Sequence, residues 1–185
     1  MFPSVRKSRW NNLDLLRGLD TEQMRDLILL SLPTDAKLVR VHVSGDFFSE
    51  AYFLAWMQVA QLRPATIFYA YTKSLKTWTD NLLSVPKNFK LTASKGSRWD
   101  YLISQYGLKY AEVVFSIDQA QKLGLEIDHD DSHASASDKP FALLLHGTQP
   151  AGNQAAKSLS ALKAIGHTGY SAKKRLNEQS AFATA

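Results

Sequence analysis

An alternation constrains this chain more than any other feature. Apolar runs too short for buried helices, and rich in β-branched and aromatic residues, are separated by segments of about ten residues with apolar positions every three or four. The runs are AKLVRVHVS (36–44), TIFYAYT (66–72), FKLTAS (89–94), AEVVFS (111–116) and FALLLHG (141–147). Helical segments read at 50–62, 74–83, 98–107, 117–124 and 152–166, with breakers at Pro64 and Pro86 and a cap at Ser49 or Asp46. Upstream, Leu13, Leu16, Leu19, Met24, Leu27, Ile28 and Leu30 predict one or two helices ending before Pro33. Strands alternating with helices predict parallel β-α units joined by right-handed crossovers, in a sheet covered on both faces. Five units are counted, where a closed β/α barrel takes about eight. The expectation is a single α/β domain over 1–170, an open or incomplete TIM-like parallel β/α barrel, with a flexible tail at 171–185. A bare sheet edge would favour self-association unless the helical segment 11–30 or a second polypeptide covers it.

Composition narrows the classes. Of 185 residues, 45% are hydrophobic and 21% charged, the balance of a folded globular protein. No apolar run approaches the roughly 20 residues of a membrane span, and MFPSVRKSRW lacks the apolar core of a signal peptide, so a cytoplasmic protein with no membrane partner is expected. There is no cysteine, so an iron-sulfur cluster or thiolate metal site cannot be built from this chain alone. Lys and Arg exceed Asp and Glu by 22 to 17. Lys73, Lys76, Lys87, Lys90, Lys95 and Arg98 are set against Asp80 alone, with Trp78, Phe89, Trp99 and Tyr101 among or beside them, which suits nucleic acid as well as it suits a solvated face. The stretch 117–138 is acidic.

In parallel α/β folds chemistry collects where strands end. Here those ends read SGDF, YTKS, ASKG, FSID and HGTQPAG. His42, Ser44 and Asp46, spaced by two, would share one face of the first strand and its exit, with Gly45 allowing close backbone approach. Such a set could bind a metal, grip a phosphate, orient a base, or simply fill the interior and cap a helix. Lys73, after Tyr71 and Thr72, could clamp an anion if charged or serve as an amine nucleophile if desolvated. Asp128, His129, Asp130, Asp131 and His133 form the densest group of metal-ligand types, suited to a divalent ion, although their spacing matches no established ligand set. The following ASASDKP reads as a flexible turn. His146, with Gly147, Gln149 and Gly152, leads into a helix as an anion cradle.

The stretches RVHVSGDFFS, FYAYTKSL, LTASKG, GLEIDHDDSHA and FALLLHGTQPAG resemble, in order, the gene product 88 family of bacteriophage, plasmid and bacterial proteins, from FPSVRKSR to about Tyr170. That family has no settled biochemical activity. Its longer relatives carry an upstream cysteine-rich segment similar in style to the three-cysteine loop of radical S-adenosylmethionine enzymes, which sits on a partial β/α barrel. The resemblance therefore implies a radical-SAM-like partial barrel in a shortened form, or one whose start was placed internally, acting in the host cytoplasm if phage-encoded. By resemblance the site would draw on His42, Asp46, Lys73 and His146 for catalysis and on Ser44, Gly45, Tyr71, Thr72, Ser94 and Gln149 for substrate. Asp128, His129 and Asp130 are carried over too, and with His133 they form the expected metal set. Three functions are expected in descending order: the truncated barrel of an accessory enzyme, a nucleic-acid-binding accessory protein using 73–98, and a metal-dependent hydrolase. The partner would be nucleic acid or a phosphorylated small molecule, and His42, Asp46, Lys73, Ser94 and His146 would form one polar mouth.

Overall fold

The structure is a computed structural model and describes residues 3–147 and 149–166. The expected tail at 171–185 lies outside the described residues. Along the chain run α1 (Pro3–Leu16), α2 (Thr21–Ser31), β1 (Leu38–Arg40), α3 (Glu50–Leu62), β2 (Ile67–Thr72) and α4 (Leu75–Asp80), then a 3-10 turn at Leu82–Ser84. They are followed by β3 (Phe89–Ser94), α5 (Tyr101–Tyr106), β4 (Tyr110–Val114), α6 (Ile117–Lys122), β5 (Glu126–Ile127), α7 (Ser132–Ala136), β6 (Phe141–Leu144) and α8 (Gln154–Ala164). The strands form one open sheet in the order β1-β2-β3-β4-β6-β5. Pairing is parallel between β1 and β2, β3 and β4, β4 and β6, and β5 and β6. The expected parallel α/β class is the observed one. Its outermost strands are the shortest, three and two residues, which leaves little unpaired backbone at either edge.

The chain divides into two compact units, Met1–Lys90 and Leu91–Ala185. In the first, α3 occupies the span its sequence predicts, capped by Ser49, whose hydroxyl accepts from the Tyr52 amide at 3.1 Å. Its buried residues are Tyr52, Phe53, Ala55, Trp56, Met57, Val59 and Ala60, more than the single stripe expected. A helix apolar nearly all round must be covered on more than one side. Trp56 meets Phe68 of β2 edge-on at 6.1 Å, and Phe68 stacks on Phe89 at 5.9 Å, which puts the core on this face of the sheet. On another side α2 packs against α3, with Met24 and Ile28 buried. The Asn88 side-chain amide ties the end of α3 to the start of β2, donating to the carbonyls of Ala60, Arg63 and Thr66 at 2.9 to 3.1 Å.

β1 is shorter than the expected run 36–44. The Val41 amide still donates to the Tyr69 carbonyl at 3.0 Å, but from His42 the backbone bends away. Gly45 adopts φ +88°, a conformation L side chains rarely take, and a Cβ there would meet nothing within 4 Å. That glycine is required by the turn itself and not by a close approach. The spacing of two therefore does not put His42, Ser44 and Asp46 on one strand face, because this stretch is not a strand.

In the second unit, Val114, Ala120 and Ala142 are buried together, with Leu125, Ile127 and Leu144 packed against them. The sheet gains one strand over the five counted. β5 has only two residues, below the length at which periodicity can show. The supposed flexible turn at 134–140 begins with the last three residues of the ordered α7. Lys109 holds this helix end, its ammonium donating to the carbonyls of Ala134 and Ser137 at 2.8 and 2.9 Å.

Candidate functional site

At the C-terminal end of β1, within the first unit, lies a cavity of about 780 Å3. One wall is α1, through Arg6, Arg9, Trp10, Leu13 and Leu16; the other is the β1–α3 loop with Tyr52 of α3. Arg9, Leu13 and Leu16 are the half-buried positions of a helix that buries no residue completely, so α1 turns one narrow face inward. Such a volume is within the usual range for small-molecule sites.

His42, Ser44, Gly45 and Asp46 all line this cavity, so the structure brings together the residues the strand-end reading named, by a bent loop and not a strand face. His42 is half-buried among aromatic rings, 4.7 Å from Phe47 edge-on and 5.7 Å from Tyr52. Its Nε2 lies 3.3 Å from the Tyr52 hydroxyl, and its Nδ1 is buried without a hydrogen-bond partner. Burial pushes the imidazole below its ordinary value against the opposing pull of the Asp46 charge, so His42 is held neutral. Burial likewise raises the Tyr52 hydroxyl.

The Asp46 carboxylate is a clasp. One oxygen accepts from its neighbour's amide, Phe47 N, at 2.7 Å and from the buried Thr72 hydroxyl at 2.6 Å; the other accepts from the Lys73 amide at 2.6 Å. The Thr72 hydroxyl in turn accepts from the Ser74 amide at 2.9 Å, and Ser74 Oγ donates to the Phe47 carbonyl at 3.1 Å. Two expected site residues, Asp46 and Thr72, thus join the exits of β1 and β2. Tyr71 lies under the Arg40 guanidinium, 5.3 Å from its ring centre. Lys73 is exposed, the setting of a charged clamp and not of a desolvated amine nucleophile.

In the second unit Ser94 closes β3, half-buried. The loop after it is locked by Asp100, which accepts from Gly96 N and Ser97 N at 2.8 and 2.9 Å. This loop presents Arg98 over the Trp99 ring at 5.0 Å, with Tyr101 beside it at 6.1 Å and exposed. Trp78 and Phe89, expected as stacking rings, are instead buried in the core. Lys95 pairs with Glu112 at 2.8 Å and lies over the Tyr110 ring.

The acidic loop folds on itself. Asp128 is buried, with Oδ1 accepting from the Asp130 amide at 3.2 Å and Oδ2 lacking a partner; the Asp130 carboxylate accepts from Ser132 N at 3.2 Å. His133 Nε2 is 3.0 Å from Glu126, holding that carboxyl below its usual range, while its Nδ1 is 3.5 Å from Asp128 without the alignment of a hydrogen bond. His129 is half-buried beside them. Among the described residues no group of three or more His, Asp or Glu side chains is placed to hold a metal ion. After β6, His146 is exposed, with Nδ1 3.0 Å from the Leu144 carbonyl, and Gln149 donates to the His146 carbonyl at 3.1 Å. One amide of the expected anion cradle is already taken, since Asn153 accepts from Ala156 N at 2.7 Å.

A family model described as gene product 88 matches residues 1–164. The chain belongs to the gene product 88 family. No curated protein sequence and no solved structure matches it. In this member of the family no described helix is long and apolar enough to cross a membrane. Sequence reasoning missed Arg6, Arg9, Trp10, Phe48 and Tyr52 as cavity residues. The signal was present in the first three, since positions 6, 9, 10, 13 and 16 have helical spacing, but α1 was expected to begin only near residue 11.

Proposed function

We propose that the chain is a ligand-binding accessory protein of phage or plasmid type, holding a small phosphorylated molecule in the cavity at the C-terminal end of β1. The observation that carries this reading is the lining: Arg6 and Arg9 on α1 face a loop bearing His42, Ser44 and Gly45. Two guanidiniums supply fork-shaped donors matched to phosphate oxygens, and a bent, glycine-containing loop leaves backbone amides near a ligand. The partial-barrel reading of the fold is supported by the winding of the first four strands: β1, β2, β3 and β4 follow one another in space as in sequence, and the order reverses only at the far edge, where β6 lies between β4 and β5.

The test is calorimetric titration of the full chain with inorganic pyrophosphate and with ribose 5-phosphate, repeated on Arg6→Gln with Arg9→Gln. Binding is expected to weaken about tenfold or more in the double variant and to fall with added salt. Affinity unchanged by the two substitutions, or no heat at millimolar ligand, refutes it.

A second reading is favoured by the Arg98, Trp99 and Tyr101 cluster, a cation and two rings on a locked loop, as a contact for single-stranded nucleic acid. Fluorescence anisotropy at two salt concentrations checks it, with Arg98→Gln and Tyr101→Leu expected to weaken binding. No binding at low salt sinks it.

A further inference from the structure

We infer that the ligand of the β1 cavity carries an aromatic heterocycle as well as its phosphate, a molecule of mononucleotide size, with the ring seated against Phe48. This rests on the reading of the cavity as a phosphate site and adds what the arginines do not require.

Phe48 is 42% exposed and Trp10 is 55% exposed, and both line this cavity, one from the loop and one from α1. Large rings left open to solvent on both walls of one cavity are an unfilled apolar surface. Phe48 is also a prepared platform. Its ring stacks on Tyr52 at 4.4 Å with only 16° between the planes. Tyr52 is fixed from behind by Trp56 edge-on at 6.4 Å and by His42 at its hydroxyl. The stack therefore costs little further ordering when a third ring joins it. Aromatic stacking of this kind accepts any base, because every base has a π-face.

His42 adds an edge contact. It lines the same cavity, and its buried Nδ1 lacks a partner. As a neutral imidazole it offers a donor or an acceptor according to which way the Tyr52 hydroxyl proton points. A heterocycle edge, which carries ring nitrogens and exocyclic groups, can satisfy either. Arg6 and Trp10 are four residues apart on α1, so one helix face supplies both charge and ring. The cavity volume of about 780 Å3 is ample for one nucleotide.

The experiment titrates the full chain with adenosine and uridine 5′-monophosphates, the two nucleosides, ribose 5-phosphate and a ten-nucleotide single strand, following heat and tryptophan fluorescence. At least one mononucleotide is expected to bind tenfold or more tighter than its nucleoside and than ribose 5-phosphate. Phe48→Leu should bring that mononucleotide to within about threefold of ribose 5-phosphate while leaving ribose 5-phosphate itself unchanged. Trp10→Leu, at an exposed position on a helix that buries no residue completely, provides the same test should the Phe48 variant fold poorly. Mononucleotides binding no tighter than ribose 5-phosphate, with Phe48→Leu and Trp10→Leu silent, overturn the ring inference and leave the phosphate reading standing. No phosphorylated probe binding overturns both. Tight binding of the single strand that mononucleotides cannot displace overturns the free-nucleotide assignment in favour of a polymer.

Discussion

Replacing Asp46 with alanine separates a structural clasp from a catalytic carboxylate. The carboxylate accepts three hydrogen bonds, and two of them, from the Thr72 hydroxyl and the Lys73 amide, cross from the β1 exit to the β2 exit at 2.6 Å. A hydrogen bond to a charged group contributes about 1.5–3 kcal/mol, and stranding a buried polar group costs a comparable amount. Thr72 is only 1% exposed, so its hydroxyl loses an acceptor that water cannot easily replace. The Lys73 amide is exposed and Asp46 itself half-buried, so solvent recovers much of the second bond. The net expectation for Asp46→Ala is a loss of about 2–4 kcal/mol, assembled from these terms. For a chain of this size that corresponds to a fall in Tm of about 4–16 °C. Urea unfolding gives the free energy, and a double-mutant cycle with Thr72→Val isolates the cross-loop bond. A loss below about 1 kcal/mol, or a coupling below about 0.5 kcal/mol, would refute the clasp and return Asp46 to the catalytic carboxylate of the strand-end reading.

Other outcomes follow from the same geometry. His42, held below its ordinary value by burial, contributes stability that is present above its unfolded value of about 6.5 and is lost as pH falls through that value toward the folded one. His42→Gln should flatten the acid limb of a stability profile between pH 5 and 8, and identical slopes would contradict this. Lys109→Met removes the ammonium from the last carbonyls of α7, at a cost of about 1.5–3 kcal/mol, and hydrogen exchange should show residues 132–137 opening first; unchanged protection there counts against it. Asn88→Ala leaves three carbonyls without their shared donor and should destabilise the chain by about 1–3 kcal/mol in chemical denaturation, with a neutral result disproving the tie between α3 and β2.

What the sequence determined by itself was local and periodic. β2, β3 and α3 lie where their patterns put them, because a six-residue apolar run and a thirteen-residue helix each carry enough side chains to declare a period. Their parallel arrangement follows from alternation, since consecutive strands separated by helices have few other ways to pair. The named strand-end residues likewise fall at strand exits. Tertiary structure decided what had no period to read. β5 is two residues long and exists because β6 offers it a ladder. α7 is five residues in an acidic, serine-rich stretch and is held by a lysine 25 residues away from Ala134. The early bend of β1 depends on Asp46 gripping Thr72 and Lys73, partners 26 and 27 positions downstream that no local window contains. The cavity itself required α1 to fold back over the loop at 41–48, which set Arg6 and Trp10 beside His42 and Phe48. Periodicity reports which face of an element is apolar, but the identity of the neighbour across that face depends on long-range packing, and a binding cavity is made of such neighbours.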